Sequence, residues 1–184
     1  MLQSVLKADS RFGVVRWDPM TKRMADVGCC AEVIKHQTSQ DGRSNIVSIG
    51  QQRFRILEII SETPFINALV SWVDDDQISD QKKLLELKNS VAIALRDVVS
   101  LTSKLTDSEK ELPDSLPDIP RELSFWIAAH LEGPVASEQQ NLLELTNTYH
   151  RLEREYELLD HTRRQLAART ALKDTFSNAD PASN

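Results

Sequence analysis

The hydrophobic pattern changes period at Asp74-Asp75-Asp76, and that switch limits the possible folds more than any other feature. Before it, short β-branched and aromatic runs alternate with polar residues, the two-residue repeat of half-buried strands. After it, apolar residues recur at helical spacing. The pattern therefore predicts an α+β chain with its strands first. The expected boundaries are a β-rich subdomain over residues 1–76, an α-helical bundle over 77–176 and a disordered tail over 177–184.

In the first segment, Leu2, Val5 and Leu6 predict a short opening helix. Strands are expected over residues 12–17, 27–36, 45–49, 52–61 and 65–73, the first stopped by Asp18-Pro19. Gln40-Asp41-Gly42-Arg43 reads as a hairpin tip with Gly42 at positive φ, and Gly50 as a bend between two strands. Val27, Cys29, Ala31 and Val33 share a face; Phe54 and Ile56 oppose Arg53 and Arg55; Ile66, Ala68, Val70 and Trp72 align. Short strands of this kind indicate a small antiparallel barrel or half-barrel.

In the second segment, Leu84, Val91, Val98 and Leu105 recur every seven residues, with Leu87, Ala94 and Leu101 as a companion row. Three prolines make residues 113–120 a connector. Leu123, Trp126, Ile127, His130 and Leu131 mark the buried face of another helix, ended by Gly133-Pro134. Ser137 and Gln140 form a capping-box pattern. A long stripe then runs through Leu142, Leu145, Tyr149, Leu152, Tyr156, Leu159, Arg163 and Leu166. Tyr149, Tyr156 and Arg163 suit packing within the chain's own bundle better than a dimeric coiled-coil seam. Arg151 with Glu155, and Asp160 with Arg164, are expected as exposed ion pairs.

Catalytic constellations are absent from the pattern. There is no GxxxxGK[ST] phosphate loop, GxSxG elbow or HExxH helix. His150 and His161 share a helix face about three turns apart, too far for one metal ion. The acidic runs at 74–76 and 107–111 read as solvated connectors. The only cysteines, Cys29 and Cys30, are neighbours on a strand and point to opposite faces, which suits small apolar residues in a reducing compartment. We therefore expect no catalytic residue, no cofactor and no metal. A net charge of −6, from 22 basic and 28 acidic residues, argues against nucleic acid as the main partner. No apolar run is long enough to span a membrane, and the opening residues lack a signal peptide's apolar core, so a cytoplasmic or equivalent compartment is expected.

The partner-binding candidates are Trp17, Arg53 and Arg55. Trp17 ends a strand before a Pro turn, where partial exposure is expected. Arg53 and Arg55 project from one strand face and would suit a carboxylate or phosphate, although a plain solvent-facing stripe is the better explanation. Trp72 and Trp126 fall in core-facing rows, so packing is expected for both.

Several segments, taken in order, resemble the N-terminal, substrate-binding domain of Lon proteases. In the first half they are Phe12-Gly13-Val14-Val15, Val27-Gly28, Ala31-Glu32-Val33, Asp41-Gly42-Arg43, Arg53-Phe54-Arg55-Ile56 and Pro64-Phe65. In the second they are Pro120-Arg121-Glu122-Leu123, Trp126-Ile127-Ala128, Glu138-Gln139-Gln140, Leu142-Leu143-Glu144 and Arg151-Leu152-Glu153. The resemblance covers roughly residues 1–170. It implies a PUA-like β pseudobarrel followed by a helical bundle with a long last helix. It also implies a non-enzymatic module for unfolded or specific polypeptides, an adaptor in protein quality control. Family members carry an apolar, proline-punctuated strand ahead of the opening helix. The resemblance thus implies a pseudobarrel lacking its first strand here and a coding unit that begins upstream of Met1. The alternatives are an RNA-binding PUA-like module and an adaptor for a larger protease or ligase complex. The strand region offers few clustered cations for RNA, and the cysteine set of a zinc-bearing ligase adaptor is missing.

Overall fold

The computed structural model describes residues 1–106, 112–113, 115–131 and 136–178. The chain divides into two compact units, Met1–Asp75 and Asp76–Asn184.

The first unit opens with α1 (Leu2–Lys7), whose Leu2, Val5 and Leu6 are half-buried, and continues with six strands. These are β1 (Arg11–Val14), β2 (Trp17–Asp18), β3 (Arg23–Met24), β4 (Val27–Thr38), β5 (Ser44–Ser61) and β6 (Asn67–Val73). β1-β4-β5-β6 form one antiparallel sheet in that order; β2 and β3 form a separate ladder. The β4–β5 hairpin turns where expected. Gly42 has a φ of 84°, and its N–H donates to the Ser39 carbonyl at 3.0 Å.

Two strand expectations need correction. The stretch 12–17 divides, because β1 ends at Val14 and Trp17 belongs to the β2–β3 ladder. The two strands expected on either side of Gly50 are one strand, β5, which runs through the glycine. No bend is needed, because a β-bulge absorbs the irregularity. Between the Cys29↔Arg53 and Ala31↔Gly50 pairs, β5 carries one residue more than β4. Further irregularities occur between Val33 and Lys35 on β4, and between Ile56 and Glu58 and Ile59 and Ser61 on β5. Each inserted residue swaps the side-chain faces beyond it. The sheet order leaves β1 and β6 as edge strands.

The second unit holds α2 (Gln81–Thr106), α3 (Pro120–His130), α4 (Ala136–Glu144) and α5 (Thr148–Asn178). Asp80 caps α2, its carboxylate accepting from Lys83 N–H at 3.0 Å, and Pro120 opens α3 with a preset φ. Leu84, Val91, Ala94 and Leu95 of α2 are buried with Leu123 and Ile127 of α3 and Leu152 and Leu159 of α5. The α2 rows and the α5 stripe therefore meet inside this bundle. Arg163, in the same stripe, donates to Asp97 of α2 at 3.2 Å. Near the far end, the Lys173 ammonium donates to the Lys104 carbonyl in the last turn of α2.

The stripe from Leu142 to Leu166 is not one helix. It breaks at residues 145–147, where the Asn147 side chain caps α5 by accepting from His150 N–H at 3.1 Å. α4 starts at Ala136, one residue ahead of the expected Ser137 cap, and Gln140 donates to Glu144 at 2.8 Å. The expected stop at Gly133-Pro134, the acidic run 107–111 and residues 179–184 of the tail lie outside the described residues. α5 itself reaches Asn178.

Asp160 does pair with both Arg163 and Arg164 but is itself buried, and Arg151 and Glu155 are not an exposed pair either. Both are fully buried. Arg151 is a hub: it donates to Ser124 Oγ at 2.8 Å, the Leu145 carbonyl at 2.6 Å and Thr148 Oγ1 at 3.3 Å. Its guanidinium also lies 3.9 Å above the Phe125 ring. It thus ties α3, the 145–147 break and α5 together. Glu155, one turn on, has both carboxyl oxygens buried without a hydrogen-bond partner among the described residues.

Desolvation pushes the Glu155 carboxyl up to about 9, outweighing the attraction of the Arg151 cation. The folded chain therefore keeps a proton that the unfolded chain releases above its ordinary value of 4.5. Stability should fall as pH rises between those two values, the reverse of a paired carboxylate. Glu155→Gln should remove that slope. At pH 8 it should melt about 5 °C or more above the parent, while at pH 4.5 the two should nearly coincide. Equal melting temperatures at both pH values would contradict the buried neutral carboxyl.

Candidate functional site

The first unit contains an open, mainly apolar groove of about 480 Å³ on one face of its sheet. Its floor is set by three residues of the ladder. Gly13 stands opposite Cys30, and Gly28 opposite Phe54. A Cβ on Gly13 would lie 2.8 Å from Phe54 Cζ. One on Gly28 would lie 2.8 Å from the same atom and 2.5 Å from the Val14 carbonyl oxygen. Only glycine at both positions lets the buried Phe54 ring lie flush across β4 and β1. From that floor the lining runs through Ile66, just ahead of β6, and through Ala68, Val70 and Trp72 of β6.

The alignment of those four side chains is the one the alternating pattern predicts, but the row does not end in a closed core. Trp72 is 55% exposed and Ile66 54%. The expectation that Trp72 is packed is therefore corrected. Trp126 does pack, against the helical core, and stacks on His130 at 4.1 Å. The sequence carries one signal of the exposed row. The strands hold more large apolar residues than a unit of some 75 residues can cover, and most exposed large hydrophobics among the described residues fall in this unit.

The three candidate residues separate. Trp17 is 59% exposed and stands opposite Met24, which lines the groove, although Trp17 itself does not. Arg55 is exposed and belongs to the alternate set of β5 residues, not to the lining. Arg53 is not part of a solvent-facing stripe. It is buried and forms an ion pair with Asp75, whose side chain is also covered. The geometric reason is that β5 pairs with β6 in a register that sets Arg53 opposite Val73, two residues before Asp75. The acidic run is accordingly more than a solvated connector. Asp74 accepts from Gln52 at 2.9 Å, and Asp76 from Thr146 at 2.9 Å.

The groove offers little to charged ligands or to catalysis. The cation on its rim, Arg11, is held by Glu32 at 3.2 Å. Burial pushes the thiols of Cys29 and Cys30 up, keeping both protonated and poor nucleophiles. No cluster of three or more His, Cys, Asp or Glu side chains with metal-binding geometry occurs among the described residues. Among them no helix is long and apolar enough to cross a membrane.

Removing the Arg53 side chain strands a buried carboxylate, so Arg53→Met should lower stability by roughly 3 kcal/mol. Arg55→Met should be nearly neutral. Urea denaturation of the two variants checks this; equal losses would refute the asymmetry.

The family of ATP-dependent protease La (LON) substrate-binding domains matches residues 1–161. The Lon protease of Anaeromyxobacter dehalogenans is 29% identical over 146 residues, covering 79% of this chain and 17% of the relative. Lon protease 2 of Myxococcus xanthus is 27% identical over 169 residues, covering 89% and 20%. The chain thus spans at most 20% of the length of these two relatives. Two solved structures share the fold at 18% identity. The Lon N-terminal domain protein from Xanthomonas campestris superposes with a TM-score of 0.54, over 83% of this chain and 78% of the other. The N-terminal domain of Mycobacterium avium complex Lon protease gives 0.59, over 86% and 82%.

Proposed function

We infer the function of this chain from its family and its open groove: it belongs to the ATP-dependent protease La (LON) substrate-binding domains, the non-catalytic part of those proteins. In our reading it is a polypeptide-binding module, and the groove between β1 and β6 is where an exposed apolar segment is held. The apolar row of Ile66, Ala68, Val70 and Trp72, exposed at its two ends, carries this reading. An apolar trough with an aromatic anchor and few charges suits side chains that a folded partner would hide.

Trp17 enters the proposal as a contact beside the groove, next to Met24, and Arg55 as a charge away from it. Arg53 contributes by holding Asp75 at the end of the unit. RNA fits less well, since phosphate neutralisation needs free cations and the rim arginine is engaged by Glu32. The four-stranded sheet would be the wall of a PUA-like pseudobarrel, with β1 and β6 at its seam. The free thiols Cys29 and Cys30 fit a reducing, cytoplasm-like compartment. The proposal keeps the boundaries read from sequence, a β-rich subdomain over 1–76 and a helical bundle over 77–176.

A reduced, carboxymethylated protein that cannot refold is a suitable ligand. Trp72→Ala should weaken its binding about tenfold, or roughly 1.4 kcal/mol, as for a central aromatic contact. Trp17→Ala should have a smaller effect and Arg55→Ala almost none. Fluorescence anisotropy of the labelled ligand reads all three. Undiminished binding by Trp72→Ala, with Arg55→Ala impaired, would overturn the assignment.

A further inference from the structure

We propose that the later stretch of the α2–α5 pair is a docking surface for a short acidic polypeptide segment. The starting observation is a segregation of charge. Residues 76–184 hold 19 acidic and 13 basic side chains, yet α2 has no carboxylate after Asp97, and α5 has none between Asp160 and Asp174. Five cations fall within those two stretches: Lys104, Arg163, Arg164, Arg169 and Lys173. The stretches are neighbours, because α2 and α5 run side by side in the same direction, Arg163 bonding Asp97 and Lys173 bonding Lys104. A strongly acidic unit thus carries a positive stretch along two adjoining helices.

The arginines are set in place rather than left loose. The buried Asp160 pairs with Arg163 and Arg164 together, and Asp97 accepts from Arg163 at 3.2 Å. A guanidinium has five N–H donors, so each arginine, once oriented, still has donors for another anion. Both line a hollow of about 400 Å³ between the helices, together with Lys104, and the short side chains of Ser100 and Ala167 keep it open. Lys104 and Arg169 are exposed and make no ion pair among the described residues. Cations near a helix C-terminus commonly complement its dipole. Lys173 takes that role for α2, donating to the Lys104 and Leu105 carbonyls at 3.2 and 3.4 Å, so Lys104 and Arg169 are not needed for it. Around the hollow, Lys104, Arg163 and Arg164 face only Asp97 and Asp160, and one positive charge stays unmatched. A carboxylate supplies that single charge, and arginine clusters are a recurrent device for reading acidic segments. A long polyanion such as RNA would also meet the rest of the unit, with its 19 acidic and eight basic side chains, whereas a short segment meets the positive stretch alone.

This surface lies wholly within the helical unit and does not depend on the groove reading. The probe is a fluorescein-labelled peptide of Glu, Ser and Gly, too polar for the groove, with a peptide of Gln, Ser and Gly as its control. Anisotropy with the full chain in about 150 mM salt should show saturable binding in the range of roughly 10–100 μM, weakening as salt rises. Lys104→Glu with Arg164→Gln should weaken it at least about tenfold. Lys82→Glu with Lys83→Gln, at the start of α2, makes the same change in net charge and should alter it less than about twofold. Trp72→Ala should leave it unchanged, so failure of the groove assignment would not disturb this test. Should the Lys104 and Arg164 variant unfold, chemical-shift mapping on the parent decides, with the changes expected at Ser100, Lys104, Arg164 and Ala167. The proposal is overturned by the absence of saturable binding below about 1 mM, by equal losses in the two double variants, or by equal binding of the Gln peptide. Tighter binding of a single-stranded RNA of the same charge, or shifts confined to residues outside the hollow, would overturn it as well.

Discussion

Everything the sheet offers rests on the contact of the Phe54 ring with the two glycines beneath it. Gly13 and Gly28 lie on neighbouring strands, and a methyl group on either would overlap the ring. The contact fixes how β1, β4 and β5 lie against one another, and it sinks a large aromatic side chain into the floor. The wall above it is therefore formed by the side chains of β6 and by residues of the β1 segment. Loss of that flush packing would raise the floor and remove the cavity. The two glycines act less through backbone freedom than through the absence of a side chain.

The helical unit is stabilised differently. Its apolar core is ordinary, but at one end a fully buried guanidinium replaces hydrophobic contact with directed bonds. Arg151 reaches a side chain on α3, a carbonyl at the 145–147 break and a hydroxyl at the start of α5. The angle at which α4 gives way to α5 is thus specified by hydrogen bonds of one residue. Glu155 is the unfavourable neighbour of that arrangement, buried without partners and held neutral. The helical unit carries this buried charged arrangement, and the sheet unit carries most of the exposed apolar surface among the described residues.

Much of this was legible in the sequence, because it depends on period. The α2 rows, the hairpin at Gly42 and the alignment of Ile66, Ala68, Val70 and Trp72 follow from local pattern alone. What spacing hides is whether an apolar row is covered. Trp72 occupies the same kind of row as a core residue and is exposed because nothing described lies over it. The ion pairs show the converse. Arg151 and Glu155 have the spacing of a surface pair, and Arg53 and Arg55 that of a surface stripe, yet three of these four are buried. Their burial depends on Ser124, Leu145 and Asp75, partners distant along the chain or around a break that no local pattern announces. The continuity of β5 through Gly50 was hidden for a related reason, since a bulge can absorb what looks like a bend.

The central claim is that the open face of the sheet holds apolar polypeptide segments. Chemical-shift mapping of the isotopically labelled chain, titrated with an unfolded protein, tests it directly. The account predicts that the largest changes fall on Ile66, Val70, Trp72, Phe12 and Met24, with smaller ones at Trp17 and almost none at Arg55. Changes confined to α2 or α5, with the groove resonances unmoved at saturation, would contradict it.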